Sequence, residues 1–377
     1  MTVSYSLSAA TASAWAWVAI LCRWKGSIWK LIWIEAIAWT VLTAFLYVLY
    51  VHVFMGTDFE QTYKNLVDIT KDVPTDGTLM FLLSYMTYNS LNRWSDTFKC
   101  LAWPENVALC FKQYFNPKSV TKHEEKCYYR TVARYLTVCY ILIFRDVSAE
   151  VREMFETIEH LVVHGILTAE EAQLLQSSRL EKHSCHYWIP INWIVVIVRN
   201  KYKPELSADG KGRKNRQSKE SIMTEIQYMK FITEINRLRA RVGDVLAYDW
   251  VPLPLALFQC LTIFVYGTMI VNCFQMQARI VMSEKSGISD LFVESMSTLP
   301  INMLYLGFLR ISQVIINPFG KDDDDFEALY LIDRHITVLN EILSTEDDEK
   351  DKEKDDKKKK EKKENEEKKT ELKTQSK

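Results

Sequence analysis

Four consecutive aspartates, Asp322–Asp325, follow Asn317-Pro318-Phe319-Gly320-Lys321 at the end of an apolar segment. Adjacent carboxylates repel one another, and a hard cation relieves the repulsion; Asp oxygens with backbone carbonyls are the ligands Ca2+ prefers. The alternating D-x-D-x-D-G and closing Glu of an EF-hand are absent. The run therefore reads in two ways: a calcium site, or a solvated acidic turn ahead of the helix FEALYLIDRHITVL. His183, Cys185 and His186 put three metal-ligand types close together without a partner motif, so a local surface or core role is the simpler reading. No G-x-S-x-G, P-loop, H-E-x-x-H or dinucleotide fingerprint occurs, and the chain does not read as an enzyme.

A third pattern is Gly77, Phe81, Tyr85 and Asn89, which share one helical face at four-residue spacing. Within one chain such a stripe packs against a neighbouring helix. Around a symmetry axis, Phe81 and Tyr85 would instead form aromatic rings. Their edges carry partial positive charge, which favours an anion weakly enough to let it leave.

The elements that must position these residues are hidden by averages. The 377 residues carry 47 Lys+Arg against 48 Asp+Glu, too balanced for a nucleic-acid binder that relies on bulk positive charge. Residues 346–377 alone hold 13 acidic and 13 basic side chains with one apolar residue, Leu372, so the remaining chain is more apolar than the average suggests. Ala36–Met55 is twenty uncharged residues, a helix of about 30 Å that matches a hydrocarbon core. Val251–Ala278 is uncharged over 28 residues, with Pro252 and Pro254 expected in its first turns. Gly77–Asn92 is shorter, and the last apolar stretch is divided by Arg310; beside two firm spans both are expected to insert.

Basic residues Arg23, Lys25 and Lys30 precede the first span and a second basic group follows Asn92, which places both flanks on the cytoplasmic side. The long insertion 93–250 has helical periodicity and no strand series, including two amphipathic helices expected from Val151, separated by Gly165 and capped at Thr168. Eight cysteines without C-x-x-C spacing suit a reduced environment. The N-terminal apolar stretch lacks a basic n-region and is expected to be part of the folded protein. The fold class is all-α.

MTVSYSLSAA, Arg23-Trp-Lys-Gly-Ser-Ile-Trp-Lys30, Arg93-Trp94 with Leu101-Ala-Trp103-Pro104, Ala247-Tyr-Asp-Trp250 and Ile316-Asn-Pro-Phe-Gly-Lys-Asp-Asp-Asp-Asp-Phe-Glu327 together resemble the bestrophins, in consistent order over about residues 1–340. The resemblance implies a calcium-activated chloride channel. It would be a homopentamer in the lipid bilayer, with four transmembrane helices per subunit and a large helical cytosolic region around one central pore. Chloride is the implied permeant ion, with bicarbonate also plausible, and Ca2+ the regulator. The implied calcium clasp uses the side chains of Asp322 and Asp325 and the backbone carbonyls of Ala10, Val314 and Asn317. The implied neck is Gly77, Phe81 and Tyr85, and the implied cytosolic aperture is Ile226.

Two departures from the family pattern carry expectations of their own. Lys321 stands where the family usually has an acidic residue, which lowers the expected calcium affinity. Gly77 and Tyr85 replace apolar neck residues, which predicts a wider, more hydrophilic and leakier neck.

The expected organisation is a cytosolic segment 1–30 contributing to the clasp, spans at 31–56, 77–98, 251–278 and 289–316, and an outer loop 57–76. A cytosolic region 99–250 with a mobile linker 203–221, an acidic cluster and helix over 317–345, and a charged low-complexity tail 346–377 complete it. Both termini are expected in the cytoplasm of a multi-pass plasma-membrane protein. The rival readings are a non-conducting membrane scaffold that regulates other channels, and an ion-coupled transporter, whose inverted repeat is not visible.

Overall fold

The computed structural model describes residues 5–10, 13–71, 77–177, 185–201, 221–282 and 288–345. The expected linker (apart from Ser221), the charged tail and His183 lie outside the described residues. Among those described no strand occurs. The α-helices are α1 (Ser6–Ala9), α2 (Ala14–Leu21), α3 (Ile28–Leu49), α4 (Phe59–Lys71), α5 (Thr78–Cys100), α6 (Glu105–Tyr114), α7 (Lys122–Val147), α8 (Ala149–Met154), α9 (Ile158–Val163), α10 (Ala169–Gln176), α11 (Trp188–Lys201), α12 (Glu225–Trp250), α13 (Leu255–Met282), α14 (Ile288–Val314) and α15 (Ala328–Ile342). A π-helical turn, Tyr50–Phe54, extends α3. The chain divides into two units, residues 1–100 with 244–327, and 101–243 with 328–377.

In the first unit α3, α5, α13 and α14 share one apolar core. α13 buries Phe258, Leu261, Val265, Met269, Cys273, Met276 and Ile280, spaced three or four apart, so one continuous stripe faces its neighbours. Its other side is also apolar: Leu255, Leu257, Ile263, Phe264 and Ile270 are exposed. A helix facing water carries polar residues there, whereas a helix facing hydrocarbon need not.

Among the described residues two helices are long and apolar enough to cross a membrane, Ile28–Phe54 and Leu255–Val281. α5 and α14 join the same core but carry charges, among them Arg93 on α5 and Arg310 on α14. Polar groups inside the bundle find each other. Asn272 Nδ2 donates to Asn302 Oδ1 at 2.7 Å, the Thr87 and Ser312 hydroxyls lie 2.8 Å apart, and Arg310 pairs with Glu35 of α3. Such pairs hold helices together where apolar contact gives no preference over lipid.

The segment expected as an outer loop contains α4. Tyr63 and Val67, four residues apart, are buried in a small cluster with Tyr50, Ala278 and Val281. The helix was obscured because its other face is polar and its average is unremarkable. Pro252 and Pro254 precede α13 rather than occupying its first turns, and the Leu257 amide donates to Pro254 O at 3.1 Å.

The second unit is built around α7, in which every side chain from Val132 to Phe144 except Arg134 is buried. Thr121 and Glu124 form its capping box, which satisfies two otherwise unpaired amide groups. The stretch from Val151 makes three helices rather than two. The chain leaves helical geometry at Phe155 (φ −117°, ψ 60°), and the Arg145 guanidinium donates to Glu156 O at 2.6 Å. Gly165 (φ 70°) makes the next turn, and Thr168 forms a capping box with Glu171.

Candidate functional site

The acidic run is folded back on itself by its own backbone. Gly320 N–H donates to Asn317 O at 3.2 Å, Asp325 N–H to Asp322 O at 3.2 Å, and Phe326 N–H to Pro318 O at 2.7 Å. The Asp322 amide donates to Asp325 Oδ2 at 2.7 Å. A Cβ on Gly320 would stand 2.6 Å from that same oxygen, so the turn has room for hydrogen only. Phe326 anchors the turn, its ring centroid 5.1 Å from Trp94, 5.0 Å from Phe98 and 5.7 Å from Phe319. Burying the anchor pulls its neighbour inward, and Asp325 is only 5% exposed.

The four carboxylates are consequently in four different environments. Asp325 Oδ1 is buried without a hydrogen-bond partner. Burial, with the charges of Asp322 and Asp324 adding to it, pushes the Asp325 carboxyl up to about 6 against the pull of the Asp322 amide. Asp324 is also raised, first by burial and then by Asp323 and Asp322. Asp323 goes the other way, because Lys30 Nζ at 2.7 Å and the Gly26 amide at 2.9 Å both donate to its Oδ2. Asp322 is exposed.

An unpartnered, buried carboxylate oxygen beside further carboxylates is the donor set a hard cation satisfies. Asn317, Asp322 and Asp325 are joined by the turn. Val314 ends α14, where carbonyls lack intrahelical partners, and Ala10 ends α1 with its amide turned to Leu7 O at 3.4 Å. No hydrogen bond among the described residues joins Ala10 or Val314 to the aspartates. Three His, Cys, Asp or Glu side chains suited to one metal are not gathered anywhere among the described residues, so a cation here would depend on carbonyl oxygens for most of its shell.

The sequence reading missed the groups that tie the N-terminal region to the acidic turn. Lys30 and Gly26 do so through Asp323; the available signal was a basic cluster and an acidic run of opposite sign. Arg93 is also more than a topology marker. Its guanidinium donates to Tyr248 O and, at 2.9 Å, to Val251 O, capping the C-terminal end of α12. Arg93, Asn317 and Phe319 are among the residues lining a cavity of about 110 Å³.

On α5 the stripe expected for the neck separates cleanly from the packed face. Leu79, Leu83, Met86, Thr87 and Ser90 are buried, whereas Phe81 is 69% and Tyr85 58% exposed. Gly77 precedes the helix at φ 26°, a backbone angle that disfavours side chains, and its carbonyl accepts the Phe81 amide at 3.0 Å. Packing within the chain therefore does not account for Phe81 and Tyr85. Ile226 lies in the first turn of α12 behind the Thr224 cap, 71% exposed, with Met229 also exposed. Of the soft-ligand cluster, Cys185 and His186 are described, and the Cys185 thiol is reduced and hydrogen-bonded to the Asp146 carboxyl.

A family model described as "Bestrophin, RFP-TM, chloride channel" matches residues 1–345. Bestrophin homolog 1 of Caenorhabditis elegans is 30% identical over 343 residues, covering 90% of this chain and 71% of that one. Bestrophin homolog 24 of the same organism is 28% identical, and human Bestrophin-3 is 30% identical; the chain spans about half the length of these two (50% and 48%). Among solved structures, a bacterial bestrophin homolog from Klebsiella pneumoniae aligns with a TM-score of 0.55 at 12% identity, covering 84% of this chain and 98% of that one. At that identity the match speaks for the fold.

Proposed function

The chain belongs to the bestrophin family, and from that premise we propose that it is a calcium-regulated anion channel conducting chloride passively, with bicarbonate as a further permeant ion. The observation that carries the reading is α5: a helix packed along one side and presenting Phe81 and Tyr85 outward along the other. In a homopentamer of four-span subunits those side chains face a common axis, and their ring edges offer weak, sequential contacts to a dehydrating anion. Tyr85 adds a hydroxyl, and Gly77 leaves space, so the neck holds water more readily than three apolar rings would. Ile226 forms the second constriction, on the cytosolic side.

Calcium, when bound, supplies positive charge between carboxylates that otherwise repel. The residues that would hold it are Asp322 and Asp325 with the carbonyls of Ala10, Val314 and Asn317. Asp325 is held in place by the Asp322 amide and by the Phe326 anchor, while Asp323 is already neutralised by Lys30. Binding shifts the closed–open balance only if it favours one state, and the turn's attachment to the start of α3 gives it a lever on that helix. With α3, α5, α13 and α14 as spans, both termini face the cytoplasm, and the plasma membrane is the proposed location.

Purified protein reconstituted in planar bilayers, with chloride as the main charge carrier and calcium titrated on one side, tests the reading. Anion-selective current that rises with calcium supports it. Silence in every lipid tried would instead favour a non-conducting regulator of other channels.

A further inference from the structure

We propose that α2 lies in the membrane–water interface and that Arg23 and Lys25, directly after it, bind anionic phospholipid headgroups; this rests on the reading of α3 as a membrane span. α2 is AWAWVAIL, eight residues without a charge or a polar side chain, about 12 Å long. None of its residues is buried: Trp15 is 82%, Leu21 64%, Trp17 48% and Val18 47% exposed. A water-facing helix would show polar residues on at least one side.

Its placement is set by two hydrogen bonds and a glycine corner. Trp29 Nε1, in the first turn of α3, donates to Leu21 O at 3.1 Å and ties the end of α2 to the start of the span. Gly26 (φ 70°) makes the corner between them, and Ser27 caps α3 by accepting the Lys30 amide at 3.3 Å. α2 is therefore held at the end of the apolar length of α3 and cannot continue it as one straight helix. That level is the headgroup region, where indole rings are favoured because they bury an apolar body and keep an N–H donor wet.

The charge pattern selects the occupant. Arg23, Trp24 and Lys25 are exposed on the corner itself, with Trp24 58% exposed. An apolar helix ending in two cations matches a leaflet carrying negative headgroups, since the acyl boundary takes the apolar residues and phosphates take the cations. A second copy of α2 would satisfy the apolar half alone and would bring like charges together.

The full chain, with Cys100, Cys110, Cys127, Cys185 and Cys260 replaced by Ser, is labelled at Cys22 with bimane and reconstituted in vesicles containing either brominated phosphatidylglycerol or brominated phosphatidylcholine. The expected result is bimane quenching about twofold stronger with the brominated anionic lipid, a preference abolished by Arg23→Gln with Lys25→Gln. Quenching by neither lipid, in protein that still floats with carbonate-washed vesicles, would overturn the proposal while leaving the span reading intact. Equal quenching by both lipids, or a preference that survives the double substitution, would overturn the headgroup assignment. Protein that fails to float would overturn the span reading on which the proposal rests.

Discussion

Lys30 Nζ stands 2.7 Å from Asp323 Oδ2, joining residues 293 positions apart: the first turn of α3 and the centre of the acidic turn. The Gly26 amide donates to the same oxygen, so the corner before α3 and the turn after α14 are held by one carboxylate. If the turn is the calcium sensor, this pair transmits its position to the start of a span. Lys30→Gln should raise the calcium concentration for half-maximal current by about threefold to fivefold, the equivalent of about 1 kcal/mol for a partly exposed pair. Exchanging the two residues, Lys30→Asp with Asp323→Lys, should recover part of the loss. Calcium titration of macroscopic current measures both.

Asp325→Asn keeps the shape of the buried side chain and removes its charge. Calcium-dependent current should be lost, while Asp323→Asn should shift the activation curve without abolishing it. Gly320→Ala should resemble Asp325→Asn in weaker form, because its Cβ meets Asp325 Oδ2 at 2.6 Å and must displace it. Lys321→Glu should lower the half-activating calcium concentration by adding attraction beside the turn. Activation curves unchanged in Asp322→Ala and Asp325→Asn would place the sensor elsewhere.

The exposed face of α5 predicts selective sensitivity. Phe81→Ala should alter single-channel conductance or open probability with little effect on thermal stability, since the side chain is 69% exposed. Leu83→Ala, on the buried face, should do the reverse and destabilise by about 2–5 kcal/mol. Tyr85→Phe should make the neck less hydrated and reduce leak current in the absence of calcium. Equal behaviour of Phe81→Ala and wild type in single-channel recordings would mean the pore does not run along this face.

In the second unit, burial alone would raise the Glu171 carboxyl. Hydrogen bonds from Arg134, Thr168 and Tyr135 outweigh it and hold the group at about 2, with Arg134 Nη2 at 2.8 Å and Tyr135 Oη at 2.6 Å. A depressed carboxylate contributes stability above its unfolded value, near 4.5, and that contribution is lost as pH falls towards about 2. The protection of α10 amides, taken relative to the intrinsic exchange rate at each pH, should therefore fall between pH 5 and pH 3, by roughly an order of magnitude in the opening equilibrium. Glu171→Gln should be less protected at pH 5 and nearly indifferent to that acidification. A variant with the same pH profile as wild type would remove Glu171 as the cause.

Much of the architecture is legible locally. Uncharged runs mark α3 and α13 because hydrocarbon-length helices demand them, and Thr168 marks a helix start because its hydroxyl can satisfy a free amide. Family membership is equally legible, since the motif around the four aspartates occurs in order with several others along the chain. α4 was passed over although Phe59, Tyr63, Leu66 and Val67 recur at helical spacing, because the acidic residues between them made the segment read as a loop between spans.

What the amino-acid order determined by itself is which segments seek an apolar environment, where helices start, and that four carboxylates stand together. Only the tertiary structure decided that these carboxylates are unequal. Phe326, packing against Trp94, Phe98 and Phe319, draws Asp325 out of water, while Lys30 neutralises Asp323 from nearly three hundred residues away. It also decided which side of α5 packs and leaves Phe81 and Tyr85 outside. The reason is the same in both cases: burial and charge pairing depend on which distant residues arrive beside a group, and four identical letters in a row carry no record of that.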